Sequence, residues 1–328
     1  IRSRAGDRVS KENHGINIVA GKNIIVDHCS TSWAIDETLS ATTRGHLGNL
    51  SVQWCIISES LNNSRHSKGP HGYGSLIRGG WGNGYTFHHN LYAHNSARNP
   101  RPGNYNNRLN DPDGFIFDFR NNIIYNWGGR YAGYNADGSN KANSLTRMNF
   151  IGNYYKGGYN STDNFAFSET TTCNKAYFNG NCMNGSFPDD PWSLVLFSNF
   201  SDEQKVTYKQ AVPVQVAQVK TDDAITAYKR ILADVGAVYP KRDAVDRRII
   251  NDVINGSGKI IDSQDEVGGW PELKSVTPPE DSDHDGMPDD WEIAHGLNPN
   301  DKSDAQKTNL SSKSYTNIEV YINGLVAK

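Results

Sequence analysis

Phe87-His88-His89-Asn90 reads as an apolar residue, two variable ones and an asparagine, and the chain keeps returning to that pattern. Val26-Asp27-His28-Cys29, Val52-Gln53-Trp54-Cys55, Phe119-Arg120-Asn121-Asn122 and Phe150-Ile151-Gly152-Asn153 repeat it, with Cys in fourth place in the first two. The fourth positions lie 26, 35, 32 and 31 residues apart. Each segment follows another short β-like run (Ile16–Val19, Leu39–Thr42, Gly74–Ile77, Gly114–Phe117 and Leu145–Met148), and turn-forming residues separate them. Short strands at such a period, with no helical periodicity between them, predict an all-β fold: a right-handed parallel β-helix, in which equivalent residues of successive coils stack. Asn90, Asn122 and Asn153 are then expected to form a ladder of side-chain amides, with Cys29 and Cys55 on the same line.

Around this repeat the chain has 328 residues, 36% hydrophobic and 10% aromatic, which describes a globular protein. Its 33 Lys+Arg against 36 Asp+Glu give a net charge of −3, which argues against a general nucleic-acid binder. No apolar run approaches the ~18 residues of a membrane span. The chain opens at Ile1 inside what reads as a fold, so the first coils are expected to lie upstream of it. After about Gly158 the repeat fades. Thr221–Val235 and Asp243–Ile254 carry helical periodicity with acidic starts and are expected to pack on the solenoid. Val276-Thr277-Pro278-Pro279-Glu280 is a linker by composition. The expected organisation is a β-helix domain with packed helices over 1–275, then a linker and a small acidic module over 276–328, in a monomer. Four cysteines allow an oxidising compartment, and Cys173 and Cys182 bracket a polar loop that a hairpin disulfide or two buried thiols would fit.

The acidic module contains DSDHDGMPDDWE, Asp281 to Glu292. Asp281, Asp283 and Asp285 stand at loop positions 1, 3 and 5, Gly286 at the sharp turn, Met287 at the position that offers its backbone carbonyl, Asp289 at 9 and Glu292 at 12. This is the ligand register of an EF-hand loop. Ca²⁺ needs six to eight oxygens, and such an array supplies them. The following GLNPNDKSDA resembles the calcium repeats of thrombospondin type 3 and dockerin modules.

The stretch from Ser60 to Asn110 has no acid, yet holds Arg65, Lys68, Arg78, Arg98, Arg101 and Arg108 together with His66, His71, His88, His89 and His94. A local positive field of that kind attracts a polyanion. VDHCSTSW, DETLSA, HSKGPHGYGSLI and FHHNLYAHNSARNPRPG, in that order, resemble the pectate lyases of polysaccharide lyase family one, and the closing TNIEVYINGL resembles the tail of bacterial members. The resemblance implies β-elimination of polygalacturonate (pectin), Ca²⁺ in the cleft and secretion, or a periplasmic or cell-surface location. It places Arg98, in the R-x-P-R pattern, at the proton-abstracting position. It places Lys68 and Arg101 on substrate uronates, Lys68 as a point charge and Arg101 as a bidentate fork. Asp36 falls on one cleft calcium ligand, Ser40 stands where another Asp is usual, His14 or Glu12 stands near the third, and Glu37 is a candidate to compensate. His28, His88 and His89 are expected to make structural hydrogen bonds.

Four other readings compete. A β-helical glycoside hydrolase needs paired carboxylates at the scissile bond, and no acid cluster is expected to stack with the acid-free stretch. A non-catalytic pectin-binding protein would keep the basic groove, and a pectin lyase would dispense with the cation. A nucleic-acid binder lacks interleaved stacking aromatics.

Overall fold

The computed structural model describes residues 1–8, 12–43, 47–135, 143–274 and 276–325. Within them the chain forms two compact units, one of Ile1–Ala237 with Arg242–Pro271, the other of Val238–Lys241 with Glu272–Lys328.

The first unit is a right-handed parallel β-helix. One sheet has seven short strands, Arg2–Arg4, Ser30–Ser32, Ile56–Ser58, Leu91–Ala93, Ile123–Tyr125, Tyr154–Lys156 and Cys182–Met183. A second has six, Gly21–Asp27, Leu47–Gln53, Gly84–His88, Phe115–Arg120, Thr146–Ile151 and Lys175–Asn179. The third side is four-stranded at first (Ile16–Ile18, Leu39–Thr42, Leu76–Gly79, Arg101–Asn104), and later coils supply Gly129–Tyr134, Ser161–Glu169 and Val195–Phe197. All these pairings are parallel, so equivalent side chains stack: Phe119 is in register with Phe87 on one side and Phe150 on the other, and Phe150 with Phe178. Phe87, Phe119 and Phe150 are fully buried and Phe178 nearly so, each contributing on the order of 1.5–3 kcal/mol.

The fourth position of the repeat is the expected ladder. Asn90 Nδ2 donates to Asn122 Oδ1 at 3.0 Å, Asn122 to Asn153 at 3.1 Å, and Asn153 to Asn181 at 2.9 Å. Each amide also donates to a carbonyl one strand back, of Val52, Phe87, Phe119 and Phe150 in turn. Cys55 N–H donates to Asn90 Oδ1 and so joins the line. The third position is less free than it looks. His28, Trp54, His89, Asn121, Gly152 and Gly180 all have positive φ, between 45° and 65°. This left-handed corner turns the chain from the six-stranded into the seven-stranded sheet, and Gly and Asn are its natural occupants. His28 and His89 stack on either side of Trp54, with centroids 5.9 and 4.6 Å away, and bond Asp27 and Asp222.

Three expectations need correction. The repeat does not end near Gly158: Phe178-Asn179-Gly180-Asn181 carries it into another coil. Cys173 and Cys182 do not bracket a hairpin, because a strand of the six-stranded sheet lies between them and Cys182 opens a strand of the seven-stranded one; all four cysteines are thiols. The β-like runs preceding the repeats lie on two different sheets, with Ile16, Leu39 and Ile77 in the four-stranded one and Phe117 and Met148 in the six-stranded one.

The middle strands of the seven-stranded sheet are apolar on both faces. Ile57, Tyr92 and Ile124 point inward, while Ile56, Leu91, Ala93 and Ile123 meet two outer helices. These are α1 (Ala224–Asp234) and α2 (Ala244–Asn255), which bury Ala227, Ile231, Val245, Ile249 and Val253 against it. Asp223 caps α1 through the N–H groups of Ile225 and Thr226, and Asp243 caps α2 through that of Asp246.

The C-terminal unit contains α3 (Asp289–Ala294) and α4 (Asn317–Gly324). Among its described residues only Met287 and Ala305 are buried apolar side chains, whereas Glu292, Asp304 and Asn317 are buried too.

Candidate active site and candidate cation loop

Just before the strands of the four-stranded sheet, three loops stack by isolated parallel bridges, Glu37 with Tyr73 and Tyr73 with Ala97. This brings Asp36, Glu37, Tyr73 and Arg98 together on successive coils. Three residues after Arg98, Arg101 opens the strand Arg101–Asn104, in register with Leu76.

Arg98 has a left-handed backbone, φ 60°, and is only 9% exposed. Its guanidinium is ion-paired with Glu37, lies 3.8 Å from the centroid of Tyr73 and is 3.9 Å from Asp36 Oδ1. Burial pushes its pKa below the ordinary arginine value; a hydrogen bond to Tyr134 pulls the other way, Arg101 adds to the depression and Asp36 opposes it. Glu37 is 3% exposed, and its other oxygen faces His14 Nδ1 at 3.2 Å. One Glu37 oxygen is thus taken by Arg98, while ligand atoms of His14, Asp36 and Glu37 lie within 4.8 Å of one another.

Asp36 stands differently. His66 Nε2 is 3.6 Å from its Oδ2 and His71 Nε2 3.8 Å from its Oδ1, and the two rings are stacked 3.7 Å apart. Neither Asp36 contact is a full hydrogen bond, and its buried Oδ1 has no hydrogen-bond partner. His66 Nδ1 accepts from Lys68 N–H at 3.1 Å, so the ring proton sits on Nε2 and points at Asp36 and Glu12. That tautomer makes His66 a donor toward Asp36, although its Nε2 makes no hydrogen bond and ligand atoms of Asp36, His66 and His71 lie within 4.8 Å of one another. Glu12 accepts from Ser67. Ser40 is buried and donates to Leu76 O, so it presents no oxygen outward. Lys68 is exposed, and Arg101 lies over the Tyr134 ring at 4.9 Å.

The expectation that no acid cluster stacks with the acid-free stretch is therefore wrong. The solenoid places Glu12, Asp36 and Glu37 beside His66, His71 and Arg98. Tyr73 and Tyr134 are not legible as site residues in the sequence, and His66 and His71 are legible there only as members of the basic stretch, because the bridged positions 37, 73 and 97 are 36 and then 24 residues apart, too uneven to align by period.

In the C-terminal unit the loop Asp281–Glu292 closes as its spacing predicts at several positions. Ligand atoms of Asp281, Asp283 and Asp285 lie within 4.8 Å of one another. Gly286, at φ 98°, makes the turn, and Met287 N–H donates to Asp285. Asp285 and Glu292 also approach Asp304, which lies outside the twelve-residue register. Burial and the surrounding carboxylates of Asp285, Asp283 and Asp304 push the Glu292 carboxyl up to about 7. Asp289 instead accepts from Ser282 N–H and Oγ–H at 2.8 and 2.7 Å.

Comparison with known proteins decides the family. The probable pectate lyase C of Aspergillus oryzae is 33% identical over 336 positions, which cover 99% of this chain and 71% of the relative. That of Aspergillus terreus is 34% identical over 335 positions with the same coverage, and that of Aspergillus fumigatus 33%. This chain belongs to the pectate lyase family. No protein-family model matches it. Membership makes the chain an enzyme, a polysaccharide lyase, and the parallel β-helix agrees with it. Among the described residues no helix is long and apolar enough to cross a membrane.

Proposed function

We propose that this pectate lyase is of the family-one type, is secreted, and cleaves polygalacturonate by β-elimination with Arg98 as the base. The supporting observation is the buried Arg98 guanidinium, held at the mouth of stacked loops by Glu37 and Tyr73, with Arg101 three residues on. Neutral Arg98 takes the C5 proton, which is acidic because it is α to the uronate carboxylate. The C5–H electron pair becomes the C4–C5 double bond, and the C4–O4 bond breaks with its electrons on O4. Burial and Arg101 favour the neutral form that this step needs, and Glu37 holds the side chain in place between turnovers. Arg101, stacked on Tyr134, binds a uronate through its planar fork, and the exposed Lys68 binds another as a point charge.

Calcium enters this reading twice. In the groove, Asp36 would hold an ion that arrives with the polymer: its Oδ1 is a buried acceptor with no donor, while Ser40 and one oxygen of Glu37 are otherwise engaged. Such an ion withdraws charge from the uronate and acidifies C5. In the C-terminal loop, Asp283 Oδ2, Asp285 Oδ2 and both Glu292 oxygens are buried acceptors without partners, a donor set that fits Ca²⁺. That site is read as structural.

The test is ultraviolet absorbance of the unsaturated product on polygalacturonate, with and without chelator. Product that forms undiminished in excess chelator would remove the groove cation. Absence of unsaturated product would leave a polyuronate-binding protein.

A further inference from the structure

We infer that the cation of the C-terminal loop is held by Asp304 in place of Asp289. The inference rests on reading the loop as a calcium site and names a ligand that the EF-hand register does not contain. In that register position 9 supplies an oxygen, often through water. Here both oxygens of Asp289 accept from Ser282, so the side chain is already engaged across the start of the loop. Asp304 behaves in the opposite way. It is 3% exposed, its Oδ2 accepts from Asn298 N–H at 3.0 Å, and its Oδ1 is buried with no donor. Its ligand atom lies within 4.8 Å of those of Asp285 and Glu292. Glu292 is fully buried with neither oxygen hydrogen-bonded. Two buried carboxylates facing a third across such a gap, with lone acceptors on each, are satisfied when ionised only by a cation between them. Oxygen-only donors select a hard ion of the calcium class.

Asp304 is also braced from behind. Asn317, fully buried at the start of α4, donates from Nδ2 to the Asp304 carbonyl at 2.8 Å. An ion on Asp304 therefore adds a second tie between the loop and α4, beside the edge contact of Trp291 with Tyr321. With Met287 and Ala305 as the only buried apolar side chains among the unit's described residues, the ion and its carboxylates take the place of an apolar core.

The test uses the full chain and Tb³⁺ as the probe, with luminescence sensitised by Trp291, the residue before Glu292, and Ca²⁺ competition to obtain affinities. Loss of outer partners of a metal ligand already costs about 10–100-fold, so Asp304→Asn is expected to weaken binding by at least about tenfold. Asp289→Asn is expected to stay within about threefold of the parent chain. Asp304→Glu, which keeps the charge but moves the oxygen, should fall between them, and separates ligand loss from misfolding. Asp289→Asn weakening binding as much as Asp304→Asn, or Asp304→Asn binding like the parent, would overturn the assignment while leaving a calcium loop. A parent chain that binds no Tb³⁺ would sink the calcium loop itself, and the assignment with it.

Discussion

Arg98 and Glu37 form a nearly buried ion pair across two coils of the solenoid, 9% and 3% exposed, with the guanidinium face on Tyr73. The pair explains how a strongly basic side chain can be held in one place beside other cations. It also sets the first tests of the mechanism.

Arg98→Lys should lower kcat by more than about tenfold, equivalent to about 1.4 kcal/mol in the barrier, with substrate affinity nearly unchanged. Lysine keeps the charge but cannot reproduce the contacts with Glu37, Tyr73 and Tyr134 together. Retention of more than about a tenth of the activity would move the base elsewhere.

Glu37→Gln should shift the acidic limb of the pH–rate profile to lower pH. An adjacent carboxylate favours the charged guanidinium, so its removal lowers the Arg98 pKa further below the ordinary arginine value, and the neutral base is populated at lower pH. The position of the limb is the measurement, independent of its height. An unmoved limb would show that Arg98 titration does not govern the rate.

Asp36→Ala should raise the Ca²⁺ needed for half-maximal activity by well over about tenfold, since Asp36 is the groove carboxylate with an unengaged oxygen. Oligogalacturonate and Ca²⁺ should strengthen each other's binding by one common factor. Separate titrations that give no coupling would refute a substrate-borne ion.

The C-terminal loop predicts a pH trend that calcium reverses. Without the ion, Glu292 titrates at about 7, above the ordinary 4.5, so the folded unit holds its proton more tightly than the unfolded chain. The associated stability is complete below about pH 4.5 and is lost as pH rises through about 7. In chelator the unit should melt at a lower temperature at pH 8 than at pH 5, and in Ca²⁺ the order should invert, because protons compete with the metal. Asp283→Ala and Glu292→Ala should remove the Ca²⁺-dependent gain in melting temperature and leave elimination near the parent rate at saturating Ca²⁺. Calorimetry at the two pH values decides it.

Asn122→Ala should cost about 2–6 kcal/mol, because the buried Asn90 N–H and Phe87 carbonyl each lose a partner at about 1–3 kcal/mol. Urea denaturation would measure it. A loss under about 1 kcal/mol would mean that the ladder is filled in by water or by relaxation.

The sequence by itself determined what is local or strictly repeated. Phe87-His88-His89-Asn90 and its copies give the coil, the inward Phe column and the Asn ladder, because one residue in the wrong phase would bury a polar side chain or expose a Phe on every coil. It also contains the further coil, in Phe178-Asn179-Gly180-Asn181. The helix caps Asp223 and Asp243 and the Asp281, Asp283, Asp285 spacing were legible for the same reason: each is satisfied within a turn or a loop of chain. Only the tertiary structure decided which acids meet Arg98. Glu37, Tyr73 and Ala97 are bridged although 36 and 24 residues separate them, since loops of unequal length leave the solenoid and return to the same level. It also decided that Asp289 turns to Ser282 and that Asp304 comes in from beyond the loop. Spacing fixes where a side chain starts along a turn; which partner it meets depends on which buried donors are already taken, and that is settled only when distant segments pack.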